Sequence, residues 1–300
     1  MPSNPPKTTA CYLCGGNSHR ERGAARDNPG LKVLECTNCG LVFLRSFDHI
    51  DAAHYESSAM HGSVPLPVDK WLQEAEADDD RRFRFLQSTV TGRNLLDFGC
   101  GAGGFLLKAR AVAATAKGIE PELRLQPFFK KAGLDVGTNI NQLMGTGSPR
   151  FDVVTAFHVV EHLPDPRSVL ANLASLLTAD GELVIEVPSS DDALLTLFAC
   201  DPFARFTYWS QHLFLFNNRT LADLVRQAGL TMRWVKQVQR YPLSNHLHWL
   251  ARGEPGGHKK WAFLDSPALH DAYCAQLAAL GQCDTIMAGI VIDGRTQAPA

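Results

Sequence analysis

Residues 95–104 read Leu-Leu-Asp-Phe-Gly-Cys-Gly-Ala-Gly-Gly, and the reading of this stretch decides the fold. A short apolar run ends in the acid Asp97, a glycine turn follows, and Phe105-Leu-Leu-Lys-Ala-Arg-Ala-Val then has helical periodicity. A strand, a glycine turn and a helix start bring backbone N–H groups right up to a ligand, because no Cβ stands in the way. Gly99, Gly101 and Gly104 also satisfy the dinucleotide spacing G-x-G-x-x-G, so the glycines by themselves do not name the ligand. The next acid narrows the choice. Ala116-Lys-Gly-Ile-Glu120 reads as a second short strand, and its terminal Glu120 falls roughly 20 residues after the turn, where a carboxylate that binds the two hydroxyls of a ribose is expected. Pro121 opens a helix that Gly133 closes.

Strands and helices go on alternating. Leu134-Asp-Val-Gly-Thr is a weak strand, and Phe151-Asp-Val-Val-Thr-Ala-Phe157 a strong one. Ser168-Val-Leu-Ala-Asn-Leu-Ala-Ser-Leu-Leu has helical periodicity and is expected to stop near Gly181. Glu182–Val187 is a buried strand closed by Pro188, Thr220–Gly229 a helix with its terminal glycine, and Thr231–Val238 alternates as a strand. Repeated β-α units imply an α/β fold with a mostly parallel sheet, helices on both faces, and ligands at the carboxyl ends of the strands.

Four segments in this order resemble a class I S-adenosylmethionine (SAM)-dependent methyltransferase. They are Leu95–Gly104, in which Asp97 gives the form D-x-G-x-G-x-G; Gly118-Ile-Glu-Pro121; Phe151–Asp165, which contains His158-Val-Val-Glu-His-Leu-Pro-Asp165; and Gly181–Pro188. The resemblance spans residues 70–240 and is closest to enzymes that modify sugars, quinones and related metabolites. It implies a Rossmann-like seven-stranded sheet with one antiparallel strand, SAM as methyl donor, and in-line displacement at the sulfonium. It places Asp97 and the turn Gly99, Gly101 and Gly103 around the methionine moiety, Glu120 on the ribose, and Phe157 on the adenosine or methyl channel. Residues 284–292 would be the last strand, preceded by a long insertion over residues 240–283.

A second signal lies at the N-terminus. Cys11-x-x-Cys14 and Cys36-x-x-Cys39 are two knuckles, each leading into glycine, and two such knuckles complete a tetrahedral zinc site. Four thiolates leave no open position, so the zinc is expected to be structural. No leader-like apolar segment is apparent before them, and a cytoplasmic, reducing location disfavours disulfides. Cys100, Cys200, Cys274 and Cys283 have no ligand spacing and read as small apolar residues. Similar modules precede the core of some deoxysugar methyltransferases. The expected organisation is a zinc-binding module at 1–50, a linker and helical cap at 51–92, and the methyltransferase domain at 93–300 with an inserted lid at 240–283.

Composition sets the other bounds. Of 300 residues, 45% are hydrophobic and 20% charged, as in a soluble enzyme with a substantial core. Lys and Arg number 29 against 31 Asp and Glu, so no wholesale attraction to nucleic acid is expected. No apolar run approaches membrane-spanning length. The charge run from Glu74 to Arg84 reads as the solvated face of a linking helix.

The candidates for chemistry follow the strand that ends at Phe157. His158, Glu161 and His162 share one face if the chain turns helical there, and a histidine at the cofactor edge suits a general base. In the similar quinone O-methyltransferases the matching segment reads Glu-x-x-Glu-His and is associated with a divalent metal. His158 in place of the first acid disfavours a hard cation and leaves a softer one as the alternative. The same residues spell H-x-x-E-H of the inverted zinc proteases, but the strand before them and Leu163-Pro-Asp-Pro166 after them deny the long helix that motif needs. Residues 199–216, rich in aromatics with Arg205, Tyr208, Gln211 and His212 among them, read either as a core-covering helix or as a substrate wall, with His212 as a second candidate base. Tyr55 is placed near the methionine end of SAM.

The sequence therefore points to a methyltransferase for a small hydroxylated metabolite, with a sugar or sugar nucleotide suggested by the resemblance alone. Two rivals stand beside it: a zinc-module RNA methyltransferase, and a SAM-binding protein without turnover. The charge balance and the lack of an Asn-Pro-Pro-Tyr type segment count against the first. The oligomeric state stays open.

Overall fold

The computed structural model describes residues 10–50, 67–144, 147 and 149–292. Tyr55 lies outside the described residues. The chain begins with an antiparallel meander, β1 (His19–Ala25), β2 (Asn28–Cys36) and β3 (Val42–Leu44), and continues after a helix, α1 (Val68–Val90), into the α/β core. There β4 (Asn94–Phe98), α2 (Gly104–Ala109), β5 (Thr115–Ile119), α3 (Gln126–Ala132) and β6 (Asp135–Gly137) form the first half. The second half holds β7 (Phe151–Phe157), α4 (Pro166–Ser175), β8 (Leu177–Pro188), α5 (Asp201–Thr207), β9 (Phe214–Leu215), α6 (Asn218–Gln227) and β10 (Leu230–Val238). Three further helices, α7 (Leu243–Arg252), α8 (Gly257–Lys260) and α9 (Pro267–Leu280), precede the last strand, β11 (Thr285–Ile292).

The large sheet has the order β10-β11-β8-β7-β4-β5-β6, and β11 alone runs antiparallel to its neighbours. This is the seven-stranded α/β sheet that the resemblance implied. Its central strands are apolar on both faces, as strands covered on each side must be. Alternation sorts them: Leu96, Val154 and Ile185 pack into one core with α4 and α6, while Leu95, Val153 and Val184 pack into the other with α1, α2 and α3. Helix starts carry the caps their sequences offer. Asp165 accepts from Ser168 N at 3.3 Å ahead of α4, and Asn217 and Thr220 form a reciprocal capping box on α6. Helix α4 ends at Ser175, short of Gly181, because Leu177 is already paired with Phe151 in the sheet. Among the described residues no helix is long and apolar enough to cross a membrane.

Two features depart from expectation. The small sheet has a fourth strand, β9, drawn from far along the chain: Val42 pairs with Leu215 and Phe43 with Phe214. The cysteine module and the core thus share one hydrogen-bonded sheet and one apolar cluster, which includes Leu41, Leu44, Phe214 and Phe216. The second feature is α1. Its buried stripe is Asp79, Arg82, Leu86 and Val90, so the charge run is not simply a solvated face. Arg81 and Arg82 both reach Glu186 at the end of β8, Asp78 pairs with Arg240, and Lys108 holds Asp80 at 2.6 Å. Helix α1 roofs the carboxyl edge of the sheet. The insertion at 240–283, expected as a lid, packs α7 against α8 and α9, and α9 against β10, with no residue on the cavity below the roof.

Candidate active site

The cavity measures about 490 Å³ and opens at the carboxyl ends of β4, β5 and β7, within the roughly 300–1,000 Å³ usual for a small-molecule site. Its floor is the glycine turn. Gly99, Gly101 and Gly103 all have positive φ, and a Cβ on Gly99 would overlap Val159 while one on Gly104 would overlap the Asp79 carboxylate. Asp97, at the end of β4, is buried and accepts a bond from Thr155 Oγ1 at 2.7 Å. Burial raises its pKa to about 7, with Thr155 opposing. Glu120, at the end of β5, accepts from Gly101 N at 2.9 Å and Glu122 N at 3.0 Å, which ties the acid to the turn. Burial raises its pKa as well. Phe157 lines the opposite wall, edge-on to Phe105 at 5.0 Å.

Sequence reasoning missed two walls. Trp71, Leu72, Ala75, Asp79 and Arg82 hang from α1, and Thr138, Asn139 and Ile140 come from the loop after β6. The α1 signal was present in the sequence: Asp79 and Arg82 occupy the helical positions that continue to Leu86 and Val90, so two charges interrupt a stripe that should be apolar. Arg82 donates to Glu186 Oε1 at 2.6 and 2.9 Å, donates to Asp79 at 3.2 Å, and stacks 4.8 Å above the Phe157 ring. Burial works against the Glu186 charge, but Arg82, His158 and Arg81 hold its carboxyl well below the usual range.

The three candidate histidines differ sharply. His158 is not on a helix. It takes a left-handed φ of 53°, and a 3₁₀ turn at Val160–His162 begins after it. Its ring lies between two carboxylates, Nδ1 at 3.2 Å from Glu161 and Nε2 at 3.3 Å from Glu186. Burial disfavours its charge, yet these two acids raise its pKa above the ordinary value. His158 therefore lines the cavity with each ring nitrogen facing a carboxylate. His162 also lines the cavity and donates from Nδ1 to the Gln211 carbonyl at 2.7 Å, with Nε2 lying 3.8 Å from Glu161. His212 sits with its ring 5.1 Å from that of His162, and burial followed by the His162 charge pushes its pKa down to about 3. Donor atoms of Glu161, His162 and His212 lie within 4.8 Å of one another, a grouping that leaves out His158.

No residue of the aromatic segment 199–216 lines this cavity. Phe203 and Phe206 pack on Trp249, Tyr208 meets Arg22 at 3.2 Å, and Arg26 stacks on Phe206 and Trp209. These rings join the cysteine module to the core; His212 itself belongs to the trio with Glu161 and His162, and Trp209 packs edge-on against both histidines.

In the module, the Sγ atoms of Cys11, Cys14, Cys36 and Cys39 all lie within 4.8 Å of one another, with Cys11–Cys39 and Cys14–Cys36 at 3.5 Å. Matching turns, Gly15 N to Cys11 O and Gly40 N to Cys36 O, both at 2.8 Å, shape the two knuckles. A tetrahedral ion with Zn–S of about 2.3 Å needs sulfurs about 3.8 Å apart, so the cluster fits a zinc ion with all four corners filled.

Comparison with known proteins agrees with this geometry. A family model described as a methyltransferase domain matches residues 69–234. A ubiquinone biosynthesis O-methyltransferase of Bordetella avium is 26% identical over 233 residues, covering 74% of this chain and 90% of that protein. The protein of the same name from Haemophilus ducreyi is 33% identical over 119 residues, 35% of this chain and 50% of that protein. Among solved structures, the complex between the Haloferax volcanii Trm112 methyltransferase activator and the putative methyltransferase matches with a TM-score of 0.50 at 12% identity, over 77% of this chain and 97% of that one, and it shares the fold. The family match takes in more than half of the chain, which therefore belongs to the methyltransferase domain family and is a class I SAM-dependent methyltransferase.

Proposed function

We propose that the protein methylates a hydroxyl oxygen of a small metabolite. The observation that carries this reading is the pair Asp97 and Glu120, at the tips of adjacent strands and facing one cavity of about 490 Å³ beneath α1. In this reading Glu120 takes the ribose hydroxyls and the turn Gly99, Gly101 and Gly103 lies against the methionine moiety. Asp97 and Asp79 face the ammonium, Arg82 the carboxylate, and Phe157 lines the methyl channel. Bound there, SAM supplies an electrophilic methyl group on a sulfonium.

The chain's own part is to position the acceptor and manage its proton. His162 accepts the hydroxyl proton at Nε2. Its Nδ1 proton is fixed on the Gln211 carbonyl, and the Glu161 carboxylate 3.8 Å away stabilises the imidazolium that forms. His212, held neutral, serves to orient that ring rather than to take the proton. The α1 roof keeps water from the reacting atoms.

Two acceptor classes follow: a hydroxylated ring, from relatives named for ubiquinone biosynthesis, and a sugar or sugar nucleotide, from the resemblance of the cysteine module. The test is transfer of labelled methyl from SAM into a fractionated extract with and without ribonuclease, followed by a panel of polyhydroxylated aromatics and sugar nucleotides. Label in the small-molecule fraction supports the reading. Ribonuclease-sensitive label at high mass makes RNA the substrate and rejects it.

A further inference from the structure

Among the described residues, the cysteine module places no side chain on the cavity, so the contribution argued here passes through the residues it touches. Two routes lead from it to the acceptor side. Tyr12 lies inside the first knuckle, between Cys11 and Cys14. Its hydroxyl donates to Asp165 Oδ1 and accepts from Arg167 N at 3.1 Å, while Arg167 returns a bond to the Tyr12 carbonyl at 3.2 Å. Asp165 caps α4, and only Leu163 and Pro164 separate it from His162. The second route leaves β3, which follows the second knuckle. Leu44 N donates to Leu213 O at 3.0 Å, and Leu213 N donates to Glu161 O at 2.8 Å. Beside it, Asp27 binds both the amide and the hydroxyl of Ser210, and His49 Nε2 donates to the Ser210 carbonyl at 2.6 Å. The next residue, Gln211, carries the carbonyl that orients His162.

We propose that the module is a positioning clamp for Glu161, His162 and His212, and that Tyr12 is the positioning residue through which the filled metal knuckle is felt at the acceptor end. The module grips the backbone on both sides of the trio, at 165–167 and at 210–213, while leaving the SAM end of the cavity to β4, β5 and α1. This rests on the reading of His162 as the proton acceptor, and the experiment below separates the two. The clamp predicts that loosening Tyr12 acts on turnover and not on SAM.

The test uses full-length, zinc-loaded protein carrying Tyr12→Phe, which keeps the ring packed 5.1 Å from Phe214 and removes only the hydroxyl. Zinc content is measured first and is expected to equal that of wild type. Hydrogen exchange at the amides of His162 and Leu213 is then expected to rise about fivefold or more, with Leu95 and Leu96 in β4 unchanged. Affinity for S-adenosylhomocysteine, the probe for the cofactor end, is expected to stay within about twofold. With an acceptor from the panel above, kcat is expected to fall about tenfold at unchanged KM for SAM. Arg20→Ala, an exposed module residue outside both routes, is expected to change none of these. Wild-type exchange at His162 and Leu213 in the Tyr12→Phe protein overturns the clamp, as does an equal rise in β4. If wild type does not bind S-adenosylhomocysteine, the proposed function fails while the exchange result still judges the clamp.

Discussion

Glu186→Gln is the sharpest test of how the site is built. The carboxylate is fully buried, accepts four bonds from Arg81 and Arg82 at 2.6–3.0 Å, and lies 3.3 Å from the His158 ring. Glutamine keeps the shape but removes the charge that balances three cationic groups, and its NH₂ turns a donor toward guanidinium donors. Breaking a buried pair from one side costs about 3–5 kcal/mol, a large part of the roughly 5–15 kcal/mol that holds a domain folded. With a urea dependence of about 3 kcal/mol per molar, the unfolding midpoint should fall by roughly 1–1.7 M. The sign with pH follows from the lowered native pKa of Glu186. Its contribution is present above the ordinary value of 4.5 and is lost as pH falls toward the native value, so wild type and variant should converge in acid. The assay is urea unfolding from pH 3 to pH 8, with Asp80→Asn, at an exposed contact of the same helix, as a control expected to show no measurable change. A midpoint shift under about 0.3 M at neutral pH, or a gap that widens in acid, would refute the view that Glu186 fastens the roof.

Three other outcomes are expected. Glu120→Ala removes both the proposed ribose contact and the bond to Gly101 N, so SAM affinity measured by calorimetry should drop at least about tenfold, in line with roughly 1.5–3 kcal/mol for bonds to a charged group. Asp97 is held with a raised pKa of about 7, and a cationic ligand favours its ionised form. SAM binding should therefore release a proton below about pH 7 and tighten as pH rises toward that value, levelling off above it, and Asp97→Asn should flatten that dependence. Stripping the metal with a chelator should release one zinc per chain and lower the melting temperature of the whole protein in a single transition, because β9 is shared between the cysteine module and the core; two separate transitions in calorimetry would count against that shared core.

What the sequence disclosed and what it hid divide along the length scale of the interaction. The turn around Asp97 and Gly99–Gly104 is local chemistry: positive φ at the glycines and an acid at a strand end are written in consecutive residues. The same holds for the two cysteine knuckles. The roof was only half legible: Asp79 and Arg82 break the stripe that continues to Leu86 and Val90, but their partner Glu186 is about a hundred residues away in the chain. The surroundings of His158 were hidden for a related reason. Its left-handed backbone and its place between Glu161 and Glu186 depend on the end of β8, which the sequence does not put beside it. The fourth strand of the small sheet is a pairing of only two residues, too short to carry a period.

The structure also resolves the ambiguity with which the glycine spacing began. G-x-G-x-x-G serves dinucleotides as well as SAM, and a dinucleotide brings a pyrophosphate to the turn. The cavity presents Asp79, Asp97, Glu120 and Glu122, against Arg82 and the histidines at one end, and Arg82 is itself bound to Glu186 and Asp79. A doubly anionic phosphate bridge would enter an acid-lined pocket with its one guanidinium already engaged, and like charges at such distances in a partly desolvated site repel strongly. In the proposed placement, the sulfonium and ammonium of SAM meet Asp79 and Asp97. Burial first, and then the Asp79 and Glu120 charges, raise the Asp97 pKa, and a cation bound there offsets both, so on this placement the same acids favour SAM over the dinucleotide.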